Sequence, residues 1–341
     1  MKRGIVVGTT TILPQEKARF LGVWLDPRLS WNMHYKEITG KLATQALALS
    51  RLTGKTHGPN LLEARLLYTS IIRPTIIYGA VVLHTPTQTD IDTVAPPRGL
   101  AKKMITEQNS ALRLVLGAYK ATPIRNLEVE ANIPPLDLYL NYRQGRFLYR
   151  IEQNGLLYQV YMAQEKIKHR FETTQSHTSR RPNIPNEPPE LDYLAWKDRF
   201  LLGSKGQSWA DQQGLILLQK YNPAPALKKH TKQHIGLPKA YSSLLIQART
   251  GKIGLRDFLF QRLVPTINSP LCPCGLARET VPHLISGSCN TLTTTDQESP
   301  TQIGSPHQRN TIIQKGGPRA IPLLNWLFKR LPEYKGVQVS L

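Results

Sequence analysis

The chain has 341 residues, of which 40% are hydrophobic, so it is long and apolar enough for two modest domains with cores of their own. Its 44 Lys and Arg against 23 Asp and Glu give a net charge of +21, which attracts polyanions such as DNA or RNA; a basic solvated surface without a specific partner has the same composition. No stretch reaches the roughly 20 apolar residues of a membrane span, and no secretory signal is visible, so we predict an intracellular protein, neither secreted nor membrane-bound, for which the nucleus is one candidate compartment.

The amino-terminal segment has the pattern of a β-hairpin. Gly4–Ile12 alternates weakly and is rich in Val, Ile and Thr, and Arg19–Leu25 follows as a second candidate strand. From Trp31 onward the pattern indicates a helix, because apolar residues recur at spacings of four, four and three and therefore share one face. These residues are Ile38, Leu42, Ala46 and Leu49.

Further helices are predicted in the rest of the first 160 residues. One extends from about Pro59 to Arg73, with Pro59 in its first turn, and Pro74 is expected to bend or end it. Residues 102–116 and 136–152 have the periodicity of amphipathic helices. The apolar side of the helix that begins near Pro59 contains Leu62, Leu66, Tyr68 and Ile72. Residues 1–160 are therefore predicted to form a hairpin followed by a helical bundle.

The rest of the chain alternates between polar and apolar segments. Residues 161–190 and 291–317 are rich in polar residues and poor in apolar ones, so both are predicted to be disordered. Between them lies a basic helical tail, 191–271, and residues 318–341 contain a short apolar helix. The predicted fold class is mainly α: a small amino-terminal β-hairpin, a helical bundle, and a separate basic tail that ends in a small metal module.

The sharpest local motif contains all three cysteines of the chain. Cys272, Cys274, His283 and Cys289 supply three thiolates and one imidazole within residues 272–290, which is a complete tetrahedral ligand set for zinc. The Cys-x-Cys pair suits a turn, and His283 and Cys289 suit a helix and its end. A four-ligand site has no open position, so we predict one structural zinc ion per chain. Three free thiols beside an incidental histidine are the alternative.

Basic residues of the tail are candidate phosphate contacts. The tract that contains Lys228, Lys229 and Lys232 is followed by Lys239 and by an aromatic residue, a mixture typical of nucleic-acid-binding surfaces. A solvated loop is the alternative for this tract. Farther along, Arg249, Lys252 and Arg256 would share one helical face if this segment is helical, and they are predicted to contact RNA or DNA phosphates.

The sequence gives little indication of catalytic residues. Polymerase chemistry needs paired acidic residues that hold two metal ions, and the sequence contains no Asp-Asp pair. Asp90 and Asp92 form a loose pair in a Thr- and Pro-rich segment, for which a solvated turn is the better interpretation. We therefore predict no catalytic residue and no enzymatic activity.

Distinctive motifs lie in the first half of the chain. Residues 18–26 have the sequence Ala-Arg-Phe-Leu-Gly-Val-Trp-Leu-Asp and are followed by Leu29-Ser-Trp31 and His34, and residues 68–80 have the sequence Tyr-Thr-Ser-Ile-Ile-Arg-Pro-Thr-Ile-Ile-Tyr-Gly-Ala. Together with residues 108–116, these stretches resemble the thumb region of reverse transcriptases from LINE-type (non-LTR) retrotransposons.

The second half extends this resemblance. Residues 236–240, residues 245–256, Pro273-Cys-Gly and Glu279-Thr-Val-Pro-His283 resemble the tail of fungal-type elements, which ends in a Cys/His module. The resemblance covers most of residues 15–290. It implies a thumb-like region over 1–160 and a tail that helps to hold template RNA or target DNA.

The resemblance also implies which parts of the family are missing. The fingers and palm, with their Tyr/Phe-x-Asp-Asp turn, would precede residue 1, and no endonuclease or ribonuclease H domain is present. We therefore predict a truncated, non-catalytic, nucleic-acid-binding remnant without a small-molecule substrate. Two alternatives stay open: part of an active RNA-directed DNA polymerase whose palm is encoded upstream, and a decayed reading frame without function.

Overall fold

A computed structural model confirms the mainly helical fold class, with short strands only near the amino terminus of the part that it describes. The described residues are 4–13, 15–27, 31–84, 97, 99–156, 158–159, 162, 185–203, 209, 211–212, 232–286, 289 and 303–331. Within these ranges, no helix is both long enough and apolar enough to cross a bilayer.

The amino-terminal strands form two hairpins, where the sequence predicted one. Strand β1 (Ile5–Val7) pairs with β2 (Thr10–Ile12), and β3 (Ala18–Phe20) pairs with β4 (Val23–Leu25), both antiparallel. Each predicted strand therefore folds back on itself. The cause is a two-residue turn inside each segment, with a positive φ at Gly8 in the first and at Leu21 and Gly22 in the second.

The first long helix follows the predicted pattern. Helix α1 (Asn32–Leu52) buries Ile38, Leu42 and Leu49 and half-buries Ala46. Its apolar stripe at helical spacing is the reason that these side chains share the buried face.

The next helix continues through Pro74. Helix α2 (Leu61–Leu67) begins at Asn60, whose side chain accepts from the backbone N–H groups of residues 62 and 63 in a capping box with Glu63. A π-helical turn (Tyr68–Ile72) leads into α3 (Arg73–Ile77). Because proline lacks the N–H that an α-helix needs, a widened turn next to Pro74 allows the helix to continue.

The buried face of this helix is shifted from the predicted one. Tyr68 and Ile72 are buried as expected, but Leu66 is 64% exposed, and Leu61 and Ala64 are buried in its place. The helix begins after Asn60, and the π-helical turn changes the helical phase. The predicted period therefore assigned Leu66 to the core wrongly, whereas Leu62 is half-buried.

The remaining helices are short to medium in length. They are α4 (Ala80–Leu83), α5 (Gly99–Leu116), α6 (Ile124–Ala131), α7 (Leu136–Gln153), α8 (Tyr193–Gly203), α9 (Lys239–Thr250), α10 (Arg256–Gln261), α11 (Val281–Ser286), α12 (Pro306–Lys315) and α13 (Ile321–Arg330).

The chain divides into two compact units that differ from the predicted boundary near residue 160. The first contains the described parts of 1–42, 75–105 and 136–192, and the second those of 43–74, 106–135 and 193–341. Segments assigned from sequence to the first 160 residues thus pack with the carboxy-terminal tail.

The core of the second unit encloses α9. This helix packs against α12 and α13, and every one of its residues is buried. Cys272 and Cys289 belong to the same hydrophobic core.

Residues 303–317 correct the prediction of disorder for 291–317, because they include α12. A capping box between Ser305 and Gln308 starts this helix, and Ile313 lies fully buried in the core. For the other predicted linker, 161–190, only residues 162 and 185–190 lie among the described residues.

Candidate metal centre and basic surface

Four predicted ligands meet at one point in the second unit. The ligand atoms of Cys272, Cys274, His283 and Cys289 all lie within 4.8 Å of one another. The Sγ atoms of Cys272 and Cys289 are 3.5 Å apart, and Cys274 Sγ is 3.2 Å from His283 Nε2. The four side chains could hold a metal ion.

A tight turn presents the first two cysteines. The backbone N–H of Cys272 donates to Ala277 O, and that of Gly275 donates to Cys272 O, both at 2.8 Å. Gly275 has a φ of 76°, which favours glycine at this position. The backbone N–H of Leu276 points at Cys274 Sγ from 3.5 Å, so the turn directs a donor dipole at this sulfur.

Helix α11 presents His283, the third ligand. The Thr280 hydroxyl accepts from the backbone N–H of His283 at 3.4 Å in the first turn of the helix. Val281, Leu284 and Ile285 are buried, which fixes the helix against the core and turns His283 toward the cysteines. Cys289 follows just beyond the helix end, as the spacing predicted.

The two turn cysteines differ in acidity. Burial raises the pKa of the Cys272 thiol to about 12, and the neighbouring sulfurs add to this effect. For Cys274, desolvation opposes ionisation, but the Leu276 N–H and the His283 ring outweigh it and lower the pKa to about 6. Cys274 is therefore more readily ionised than Cys272, and the ionised thiol is the form that binds metals.

The geometry of the cluster fits a zinc ion. With Zn–S bonds of about 2.3 Å, two sulfurs of a tetrahedral site lie about 3.8 Å apart. The 3.5 Å between the Sγ atoms of Cys272 and Cys289 is close to that value. Three sulfurs and one imidazole nitrogen are a ligand set that zinc prefers, and they would fill all four positions.

Two of the predicted phosphate contacts are buried, so this part of the prediction is wrong. Lys239 is 3% exposed, and its ammonium donates to the carbonyl oxygens of Leu114 and Val115. Burial lowers its pKa to about 8. Arg249 is fully buried, and its guanidinium pairs with Glu130 and donates to the carbonyl oxygens of Ile313 and Gln314.

The predicted helical face of Arg249, Lys252 and Arg256 does not form. Helix α9 ends at Thr250 because Gly251 adopts a left-handed conformation, so the three residues do not share a helix. Lys252 is half-buried, Arg256 is exposed, and Lys232 is exposed farther upstream. Lys228 and Lys229 lie outside the described residues, as do Asp90 and Asp92.

Basic residues from separate segments instead surround a pair of aromatic rings. The ring centroids of Tyr119 and Phe258 are 5.3 Å apart. Lys55 Nζ lies 3.6 Å from the Tyr119 ring, Lys252 Nζ lies 6.0 Å from the Phe258 ring, and the Arg262 guanidinium carbon lies 5.6 Å from it. We name these five residues the cation–ring cluster.

The cation–ring cluster was missed by the sequence analysis. Its members come from three distant parts of the chain, and no local pattern links residues 55, 119 and 258. Within the described part of the chain, neither Lys252 nor Arg262 forms an ion pair with a carboxylate.

Comparisons of this chain with protein-family models, with characterised proteins and with solved structures give no match.

Proposed function

We propose that this chain is a non-catalytic nucleic-acid-binding protein of the LINE reverse transcriptase kind, in which one zinc ion stabilises a basic surface of the second unit. The observation that carries the proposal is the cation–ring cluster, where three cationic side chains converge on two packed rings. The net charge of +21 and the resemblance of the sequence support the same assignment.

The cation–ring cluster has the chemistry that phosphate binding needs. Cations over ring faces are attracted by the ring quadrupole, which holds them in position without neutralising their charge. Like charges held close together raise the local positive potential, and a polyanion gains by releasing condensed counterions there. This mode of binding favours phosphates of either RNA or DNA and reads no base sequence.

The metal centre supports this surface through helix α10, which carries Phe258. Arg278, in the cysteine turn, forms an ion pair with Asp257, and Glu279 Oε2 accepts from the backbone N–H of Arg256 at 2.8 Å. Both Arg256 and Asp257 lie in the first turn of α10. A bound zinc ion would supply cross-linking of the turn and α11, so it would hold the contacts that orient α10.

The test combines metal analysis with binding measured across a salt series. Purified protein is expected to contain one zinc per chain and to bind single-stranded RNA and duplex DNA, with affinity falling steeply as salt rises. The triple variant K55A/K252A/R262A is expected to reduce the slope of log K against log salt by about 2–3 for duplex DNA, because each lost phosphate contact removes about 0.9 from it.

A control variant with the same change in net charge distinguishes binding by the cation–ring cluster from a general effect of the positive charge of the protein. K36A/K41A/K102A removes three exposed lysines that lie outside the cation–ring cluster. Its salt slope is expected to stay close to that of the unmodified protein. Equal losses in the two triple variants would refute the proposed surface, and the absence of zinc from the purified protein would refute the proposed metal role.

A further inference from the structure

A cavity of about 360 Å³ lies in the second unit beside the cation–ring cluster. Its volume falls within the range of about 300–1,000 Å³ that small-molecule sites occupy. Apolar parts of its wall come from Trp209, Ile253, Leu255 and Phe258, and polar parts come from Gln212, Asp257, Glu279 and Asn310. The cavity is therefore apolar on some sides and polar on others, as sites for planar heterocycles are.

A residue with an unused hydrogen-bond acceptor lines this cavity. Asn310 Oδ1 is buried and has no hydrogen-bond partner among the described residues, although buried polar atoms are normally paired. Glu279 also lines the cavity, and its Oε2 accepts from the backbone N–H of Arg256 at 2.8 Å. Both oxygens of Asp257 are engaged, one by Arg278 and one by Gln261. The ligand that fits must bring N–H donors.

One wall residue joins the cavity to the phosphate-binding surface. Phe258 lines the cavity and also carries Lys252 and Arg262 near its ring. Lys252 itself lies between Gly251 and Ile253, which both line the cavity. A nucleotide with its phosphates on Lys252 and Arg262 would therefore have a base-sized cavity beside it.

We propose that this cavity takes one unpaired guanine base of a single strand whose phosphates lie on the cation–ring cluster. The inference rests on the proposed nucleic-acid binding and specifies its partner. Unpaired bases are recognised by aromatic rings and by hydrogen bonds to their Watson–Crick edge, which duplexes conceal. Guanine presents two adjacent donors on that edge, N1–H and the N2 amino group, and the Glu279 carboxylate and the Asn310 carbonyl oxygen are acceptors for such donors. Uracil presents a single donor between two acceptors.

The experiment compares strands that differ at one base. The probes are uridine decamers with a central guanosine, inosine or uridine, and a duplex DNA of equal length, each titrated with the full zinc-loaded chain. Inosine keeps N1–H and O6 and lacks the N2 amino group. The guanosine strand is expected to bind about tenfold more tightly than the uridine strand, the gain typical of one good pair of base contacts, with inosine between them.

Variants and a fluorescence readout locate the effect. Asn310→Leu, which removes the unpartnered acceptor, is expected to reduce the ratio of guanosine-strand to uridine-strand affinity toward one. Asn154→Leu, at an exposed position of the first unit, is the matched control and should keep the ratio. The guanosine strand is expected to quench tryptophan fluorescence in the unmodified protein more than in a Trp209→Phe variant.

The outcomes distinguish failure of the proposed guanine site from failure of the proposed nucleic-acid binding. Equal affinity for the three decamers, with a steep salt slope, would overturn the guanine site and leave the proposed nucleic-acid binding intact. Failure to bind any strand at low salt would overturn both. A guanosine preference that survives Asn310→Leu, in a variant that still contains zinc, would also overturn this cavity as its source.

Discussion

Arg249 and Glu130 form an ion pair inside the second unit, with Arg249 Nη1 3.0 Å from Glu130 Oε2 and both side chains almost completely excluded from solvent. The carbonyl oxygens of Ile313 and Gln314 accept from the same guanidinium at 2.8 Å. Through these contacts α9 is joined to α6 and α12. A charge in such a place depends on its partner, because water is not available to replace it.

Removal of one member of this ion pair is expected to destabilise the protein strongly. Arg249→Met leaves the Glu130 carboxylate buried without its main partner, so we expect a loss of about 3–5 kcal/mol in the free energy of unfolding. Urea denaturation followed by circular dichroism measures it. Arg256→Ala, at an exposed position, serves as the control and should change stability by less than about 0.5 kcal/mol. The double variant R249M/E130L should recover most of the loss, and a double variant as unstable as R249M would contradict this account.

Stability is expected to fall in mild acid. His34 is buried; its Nδ1 accepts from the Trp24 backbone N–H at 3.3 Å, and its Nε2–H donates to Tyr78 O at 3.4 Å. Burial lowers the pKa of His34 below 6.5, and it does the same for His84 and His234. The unfolded chain therefore binds more protons than the folded chain just below pH 6.5, so stability decreases as pH falls through that value.

Unfolding free energies at pH 8, 6 and 5 test this expectation. His34→Gln replaces the imidazole with an amide, which is polar but does not titrate, so the stability of the variant should depend less on pH than that of the unmodified protein. A stability that is constant from pH 8 to pH 5 would show that the buried histidines do not resist protonation.

Metal removal is expected to weaken the whole second unit rather than one loop. Cys272 and Cys289 belong to its hydrophobic core, so an empty ligand cluster would leave buried thiols without the cross-link that orders them. Chelation, or Cys274→Ser, is expected to lower Tm by on the order of 10 °C, as a loss of several kcal/mol does in a unit of this size. Differential scanning fluorimetry with and without added zinc provides the measurement. Zinc should restore the chelated protein and not the variant; equal Tm values with and without metal would exclude a structural role.

Two glycines are expected to respond oppositely to alanine. Gly58 has a φ of 100°, and a Cβ there would overlap the carbonyl oxygen of Leu52 and lie 2.9 Å from Thr53 Cα. Gly40 lies inside α1, where a Cβ would meet no atom within 4 Å. We expect Gly58→Ala to destabilise the protein by more than about 1 kcal/mol and Gly40→Ala to stabilise it by about 0.5–1 kcal/mol. Urea titrations of the two variants measure their free energies of unfolding. A Gly58→Ala variant more stable than the unmodified protein would show that the turn differs from the one described.

Local sequence patterns predicted the features that depend on neighbouring residues. The spacing of Cys272, Cys274, His283 and Cys289 requires only a turn and a short helix, and the structure contains both. The stripe of α1 was predictable for the same reason. A local signal also marks the end of α9: Gly251 lies between Arg249 and Lys252, inside the segment for which a continuous helical face was predicted.

Features that depend on distant segments could not be obtained from one sequence. Arg249 has the composition of a phosphate contact, and only its position opposite Glu130 makes it a buried structural residue. The cation–ring cluster depends on the packing of residue 119 against residue 258, which no periodicity predicts. A single sequence carries no record of such pairings.

The position of α13 bears on how the chain acquires its structure during synthesis. The core-facing side chains of α9, such as Leu244 and Leu245, are covered in part by α13, whose residues leave the ribosome some eighty positions later. Segments 43–74 and 106–135 belong to the same unit as residues 193–341, so their contacts with those residues can form only after the later segment has been synthesised. Contacts between residues so distant along the chain slow folding, and the apolar surface that they will bury stays exposed to solvent until they form. The second unit is therefore expected to depend on chaperones until synthesis has passed residue 330, and a chain stopped before α13 should be degraded or aggregate.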